Sequence, residues 1–156
     1  YGREKGIPHL LELATTVLNA HTGWICDVRE LDAPIKLVRN YTVPGYKKLT
    51  PYNMPSRCCL YFCHKFVTST YNSHLEMPQP MHGICQGLGI KGWTHEVISI
   101  EGKESFLLYF LRQEASKPWT ENEKKIMRYT SKMFAMLLDT YAQKHPVQSI
   151  LNGGAQ

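Results

Sequence analysis

Apolar residues along this chain recur at two different spacings, and the spacings divide it into helices and strands. Ile7, Leu10, Leu11, Ala14, Val17 and Leu18 fall on one helix face. They predict an amphipathic helix over 7–20, with Pro8 tolerated in its first turn. Asn19-Ala-His-Thr-Gly23 ends it. Trp24 to Val28 then reads as a short strand, residues 29–33 as a turn, and 34–41 as a second strand, so that the two strands form a hairpin. The C-terminal third is the clearest part. Thr94 to Ile100 is β-branched and half alternating, residues 101–104 make a short turn, and Ser105 to Arg112 is almost continuously apolar. A strand apolar on both sides suits the middle of a sheet covered on both faces. Lys117-Pro-Trp-Thr-Glu-Asn-Glu123 then opens a long helix, with Thr120 as N-cap and Glu123 as its capping-box partner. That helix carries Ile126, Thr130, Met133, Phe134, Leu137, Leu138 and Tyr141 on one face, widened by Met127 and Met136, and Pro146 stops it. At ~37 Å it is longer than a small sheet needs, so its far end is free to meet a second copy or lead onward.

The middle is less regular. Residues 43–57 hold three prolines and a glycine and read as loop. Residues 58–67 fit a helix stripe through Cys59, Phe62, Cys63 and Phe66, with Ser56 as a possible cap, and fit a buried strand as well; the helix is preferred. Residues 68–92 are turn-rich, with one short strand expected near 84–88.

The chain has 156 residues, 43% of them hydrophobic, enough for one domain with a sizeable core. Its net charge of +5 comes from scattered lysines and arginines, which argues against direct nucleic-acid contact. No apolar run has the ~20 residues of a membrane span, and no signal-peptide core opens the chain. Five cysteines without framework spacing, and no secretory signal, point to reduced thiols in a cytoplasmic protein. Tyr1 at the start and Asn-Gly-Gly-Ala-Gln at the end suggest a piece of a longer protein.

The order of elements resembles a GAF domain. Phe106-Leu-Leu-Tyr-Phe-Leu111 is similar to the family's "G-V-L-x-L" strand, and Lys117 to Glu123 is similar to its "R-P-F-T-E-E-D" corner, with Trp119 in the aromatic place. The segment between Tyr41 and Gly92 shows no GAF pocket motif. The resemblance implies an α+β fold: a GAF-like central antiparallel sheet, N- and C-terminal helices packed on one face, and a ligand pocket on the other under the mid-chain loops. It also implies a regulatory sensor domain over 1–145 that binds a small-molecule effector, forms a homodimer through its terminal helices and feeds an output domain, with 146–156 beginning the linker. The tail Pro146 to Gly153 and the Leu10-Leu-Glu-Leu13 helix further resemble the sensor region of PucR-type transcriptional regulators.

Chemistry-bearing residues gather in the middle segment. Cys58, Cys59, Cys63, His64 and Cys85 could form a soft site for zinc, iron or haem, although only one partial ligand pair is present. Buried cysteines acting as small hydrophobes are the plainer reading. A thiolate beside His64 or His82 would suit a redox sensor, or an enzyme like the GAF-type reductases of free methionine sulfoxide, but no motif for that activity is present. In the glycine-rich stretch His82 to Gly92, backbone amides and Lys91 could approach a phosphate, but no strand-to-helix transition follows, and a turn pair leading into the strand at Thr94 is the preferred reading. For a ligand pocket, the set Tyr46, Tyr52, Tyr61, His64, His82, Cys85, Trp93 and His95 has the required mix of aromatic and polar groups. No catalytic residue and no metal ligand is assigned.

Overall fold

The computed structural model describes residues 5–51, 53–65, 81–114 and 118–147. In chain order they form α1 (Gly6–Val17), β1 (Thr22–Asp27), β2 (Lys36–Thr42), α2 (Ser56–Lys65), α3 (Met81–Leu88), β3 (Gly92–Ile100), β4 (Lys103–Arg112) and α4 (Glu121–Lys144). The strands make one four-stranded sheet in the order β2-β1-β4-β3, each neighbouring pair antiparallel. The apolar run of β4 lies between β1 and β3, as its composition predicts. Alternate residues feed two separate cores: Phe106, Leu108 and Phe110 on one face, Leu107, Tyr109 and Leu111 on the other.

The terminal helices cover the first face. Ile7, Leu11, Ala14 and Leu18 of the α1 segment pack with Met127, Phe134 and Leu138 of α4 against Ile25, Ile98, Phe106, Leu108 and Phe110. The buried stripe of α1 is turned from the predicted one: Thr15 is buried, its hydroxyl donating to Leu11 O at 2.6 Å, while Val17 faces outward. The reason lies across the interface. Gly23 of β1 lets the helix come close, for a Cβ there would overlap Thr15 Oγ1 and stand 2.9 Å from Leu11 Cδ1. The helix ends sooner than predicted because Asn19 adopts φ +54°, with Asn19 N donating to Thr16 O and Ala20 N to Thr15 O, the pairing that satisfies the last carbonyls of a helix.

α4 begins as its sequence predicts. Thr120 Oγ1 accepts from Glu123 N at 3.0 Å and Glu123 Oε1 accepts from Thr120 N at 2.9 Å. Met133 and Met136, expected on or beside its buried stripe, are instead exposed, because Phe134 and Leu138 point straight at the sheet and the methionines fall on the opposite side.

Two expectations for the middle are corrected. Residues 81–88 form α3, not a short strand. Gly89, at φ +76°, closes that helix, its amide donating to Gln86 O while Ile90 N donates to Cys85 O; the glycine is a helix stop rather than one of a series of turns. Residues 56–65 do form a helix, but Ser56 does not cap it. Its hydroxyl is buried without a hydrogen-bond partner, and Pro55 O accepts from Cys58 N and Cys59 N instead.

Candidate ligand-binding site

The second face of the sheet is covered by α2 and α3, which meet it less tightly than the terminal helices meet the first. β1 contributes Trp24, β3 contributes Trp93 and His95, and β4 contributes Tyr109 and Leu111 to a cavity floor. Cys59, Phe62 and Cys63 of α2, Ile84, Cys85 and Leu88 of α3, and Ile90 just after it form the cover, with Ile35, Pro51 and Met54 at one side. The period of two on the strands and of about 3.6 on the helices places these residues on facing surfaces. The cavity has a volume of ≈ 70 Å³ and is partly open to solvent. That is room for several waters.

The indole, imidazole and phenol groups of this lining each have a protein partner. Trp24 Nε1 donates to Leu49 O at 3.1 Å, and Trp93 Nε1 donates to His95 Nδ1 at 3.0 Å. His95 Nε2 lies 3.3 Å from Cys63 O. With Nδ1 accepting, the ring carries its proton on Nε2 and is neutral. Burial lowers the His95 pKa, the hydrogen bond to Cys63 O opposes that shift, and His64 adds to it. Tyr109 and Cys63 share a hydrogen bond of 3.5 Å, and burial raises the Tyr109 pKa well above the ordinary phenol value.

Of the set expected to form a ligand pocket, Cys85, Trp93 and His95 line this cavity, joined by Cys59 and Cys63 of the cysteine cluster. The others stand elsewhere or are not described. Tyr46 stacks on His21 with ring centres 3.9 Å apart. Tyr61 is exposed on the outer side of α2. His64 is exposed and pairs with Glu104. His82 lies in the first turn of α3 and is not part of the lining. Tyr52 lies outside the described residues. Sequence reasoning missed Trp24 and Tyr109, whose only signal was their place in strands assigned to a core, and the aliphatic residues of the cover.

The cysteines separate by environment. Cys26, Cys59, Cys63 and Cys85 are buried, Cys58 is exposed, and none is in a disulfide. Burial is the first cause in each case, pushing Cys59 up to about 12, Cys63 to about 11, Cys85 to about 12 and Cys26 higher still. Thiols held this far above neutral pH stay protonated and are poor nucleophiles. Among the described residues, no three His, Cys, Asp or Glu converge to hold a metal ion. We expect a thiol reagent at neutral pH to modify Cys58 quickly and the other four cysteines only on unfolding. Cys58→Ser should abolish the fast phase; a fast phase that survives would place a reactive thiol in the cavity wall.

A second hollow, of ≈ 510 Å³, lies between the end of α1 and the start of α4, near Asn19, His21, Arg112 and Glu123. Its central charges already satisfy each other, Arg112 Nη2 standing 2.9 Å from Glu123 Oε2, so it offers a ligand less than the apolar cavity does.

No protein-family model matches the sequence, and no curated protein sequence matches it. Solved structures do match in shape. GAF3 of a Synechocystis sp. PCC6803 protein, in its photoproduct state, superposes with a TM-score of 0.74 over 94% of this chain and 99% of its own, at 6% identity. The phycoerythrobilin-bound GAF domain of a cyanobacterial phytochrome reaches 0.73 over 94% and 90%, at 11% identity. The GAF/HD-domain protein of Geobacter sulfurreducens reaches 0.63 over 90% and 94%, at 10% identity. Agreement over nearly the whole of both chains at such low identity establishes the fold: this chain is α+β with a GAF-like architecture, an antiparallel sheet whose first face carries both terminal helices.

Proposed function

We propose that this chain is the small-molecule-sensing domain of a larger signalling protein and is not an enzyme. On this reading an effector held in the cavity changes the seating of the terminal helices, and a homodimer formed along them passes the change to an output domain beyond the linker at 146–156. The observation that carries the reading is the placement of the cavity. It lies on the opposite side of β4 from α1 and α4, so that Tyr109 and Leu111 line it while Phe106, Leu108 and Phe110 carry the helices. One strand thus touches both the ligand and the signalling elements, and a ligand that prefers one helix arrangement shifts the population toward it.

The dimer is supported by the outer surface of the helical layer. Tyr129, Met133 and Met136 are exposed on α4 at alternating spacings of four and three, with Leu13 and Val17 exposed on α1. That spacing is the seam of a helix pair, and a second copy presents the same seam. Transcription is the output that the tail favours, reached through the attached domain and not by nucleic-acid contact here, in a cytoplasmic setting. No described helix is long and apolar enough to cross a membrane. A thiol-based redox sensor or reductase has less support, because the cavity thiols are held protonated. A cavity of ≈ 70 Å³ favours an effector smaller than the bilins named for some of the cyanobacterial neighbours, and haem has no ligand among the described lining residues that is not already engaged or shielded.

Two measurements test this. A thermal-shift screen of a chemically diverse metabolite library should find compounds that stabilise the native protein but not Ile84→Trp, which fills the cavity. Sedimentation should show self-association that Met133→Glu with Met136→Glu abolishes. A screen without hits removes the sensing role, and a protein monomeric at high concentration removes the dimer.

A further inference from the structure

We infer that the cavity between the sheet and α2/α3 selects a small, electrically neutral, apolar molecule, of the size of one aromatic ring or a short alkyl chain, and rejects ionised compounds. This rests on the reading of the cavity as a ligand site and adds the chemical class. Its lining holds no lysine, arginine, aspartate or glutamate among the described residues. The ring groups present are already engaged by the protein: Trp24 with Leu49 O, Trp93 with His95, His95 with Cys63 O, and Tyr109 with Cys63, which leaves the weakly polar thiols of Cys59 and Cys85. Among the described residues, the buried side-chain nitrogen and oxygen atoms left without partners, Asn40 Oδ1, Thr42 Oγ1, Ser56 Oγ and Trp119 Nε1, are outside the lining.

A carboxylate or ammonium entering the cavity would lose its hydration and meet no opposite charge among these groups, and no more than a phenol or weak thiol hydrogen bond from Tyr109 and the cysteines in return. An apolar ring loses nothing of that kind and gains contact with Trp24, Met54, Ile84, Leu88, Ile90 and Leu111. The neutral state of His95 belongs to the same design. A cationic imidazole would present N–H groups to the Trp93 N–H and place a charge in the floor.

The test uses two pairs of matched size, toluene against benzoate and 1-hexanol against hexanoate, titrated into the folded protein. Side-chain methyl NMR signals of Ile84, Leu88 and Ile90 report where each compound binds. Toluene and 1-hexanol should shift those methyls saturably, with the anions at least ~100-fold weaker. Leu88→Phe, a modest filling of the same space, should weaken both neutral probes. If the anions bind at those methyls as tightly as their neutral partners, the selectivity is overturned while the cavity remains a ligand site. If neither neutral probe moves those methyls up to its solubility limit, or if the shifts fall only elsewhere, both the selectivity and the site are overturned.

Discussion

Arg112→Met should destabilise the fold by about 3–5 kcal/mol in urea unfolding, the largest effect expected of any single polar substitution here. Arg112 ends β4 and is buried, with 4% of its surface exposed. Its Nη2 donates to Leu18 O at 2.9 Å and to Glu123 Oε2 at 2.9 Å, its Nε donates to Asn19 O at 3.2 Å, and its guanidinium lies 3.6 Å from the centre of the Trp119 ring. One side chain thus ties together the end of α1, the start of α4 and the central strand. Burial lowers the Arg112 pKa and Glu123 opposes the shift, yet a guanidinium stays protonated throughout the working range. Methionine keeps much of the volume but removes the donor to Leu18 O, Asn19 O and the Oε2 oxygen of Glu123. Lysine should recover only part of the loss, because an ammonium cannot match the planar fork or its stacking on Trp119. An Arg112→Met cost below about 1 kcal/mol would mean that the contacts are incidental, of the strength of a surface ion pair.

Phe134→Ala should cost about 3–5 kcal/mol, whereas Met133→Ala, one residue earlier, should stay within about 0.5 kcal/mol. Phe134 is fully buried between α4 and the sheet, and Met133 is 53% exposed. Truncating the phenylalanine removes its transfer free energy and leaves a void at the centre of the first core, while the methionine gives up contacts it hardly makes. Chemical denaturation of the two variants at low protein concentration reads the contrast directly. At high concentration Met133→Ala should instead weaken self-association, which separates the packing role of one face of α4 from the proposed docking role of the other. Equal costs at low concentration would show that the outward face of α4 is covered within the monomer.

The two substitutions also mark where pattern reading reaches its limit. Met133 and Phe134 were both placed on the buried stripe, since adjacent residues on a helix are only ~100° apart and a wide apolar arc does not reveal its centre. The centre is set by the sheet residues that α4 meets, Ile98, Phe106, Leu108 and Phe110, and the helix's own pattern carries no record of that contact. The same holds for α1, where Val17 yields its place to Thr15 because the helix approaches at Gly23. In the middle segment, glycine density from 83 to 92 suggests turns, although only Gly89, just past the end of α3, takes a left-handed backbone there. A run of eight residues is too short for periodicity to outweigh composition.

Strand β4 and its pairing with β3, the Thr120–Glu123 cap, the two terminal helices and the GAF-like order were written in local signals: alternation, a capping box, turn residues. Those signals depend on residues within a few positions of one another, so the sequence alone determined them. The cavity depended on tertiary structure. Trp24, Trp93 and Tyr109 come from three strands and Cys63, Ile84 and Leu88 from two helices, and whether such residues close on one another or leave a space depends on how far apart the two layers settle. Which cysteines are shielded and which is exposed was settled by the same packing, because burial is a property of the facing surfaces and not of the thiol itself.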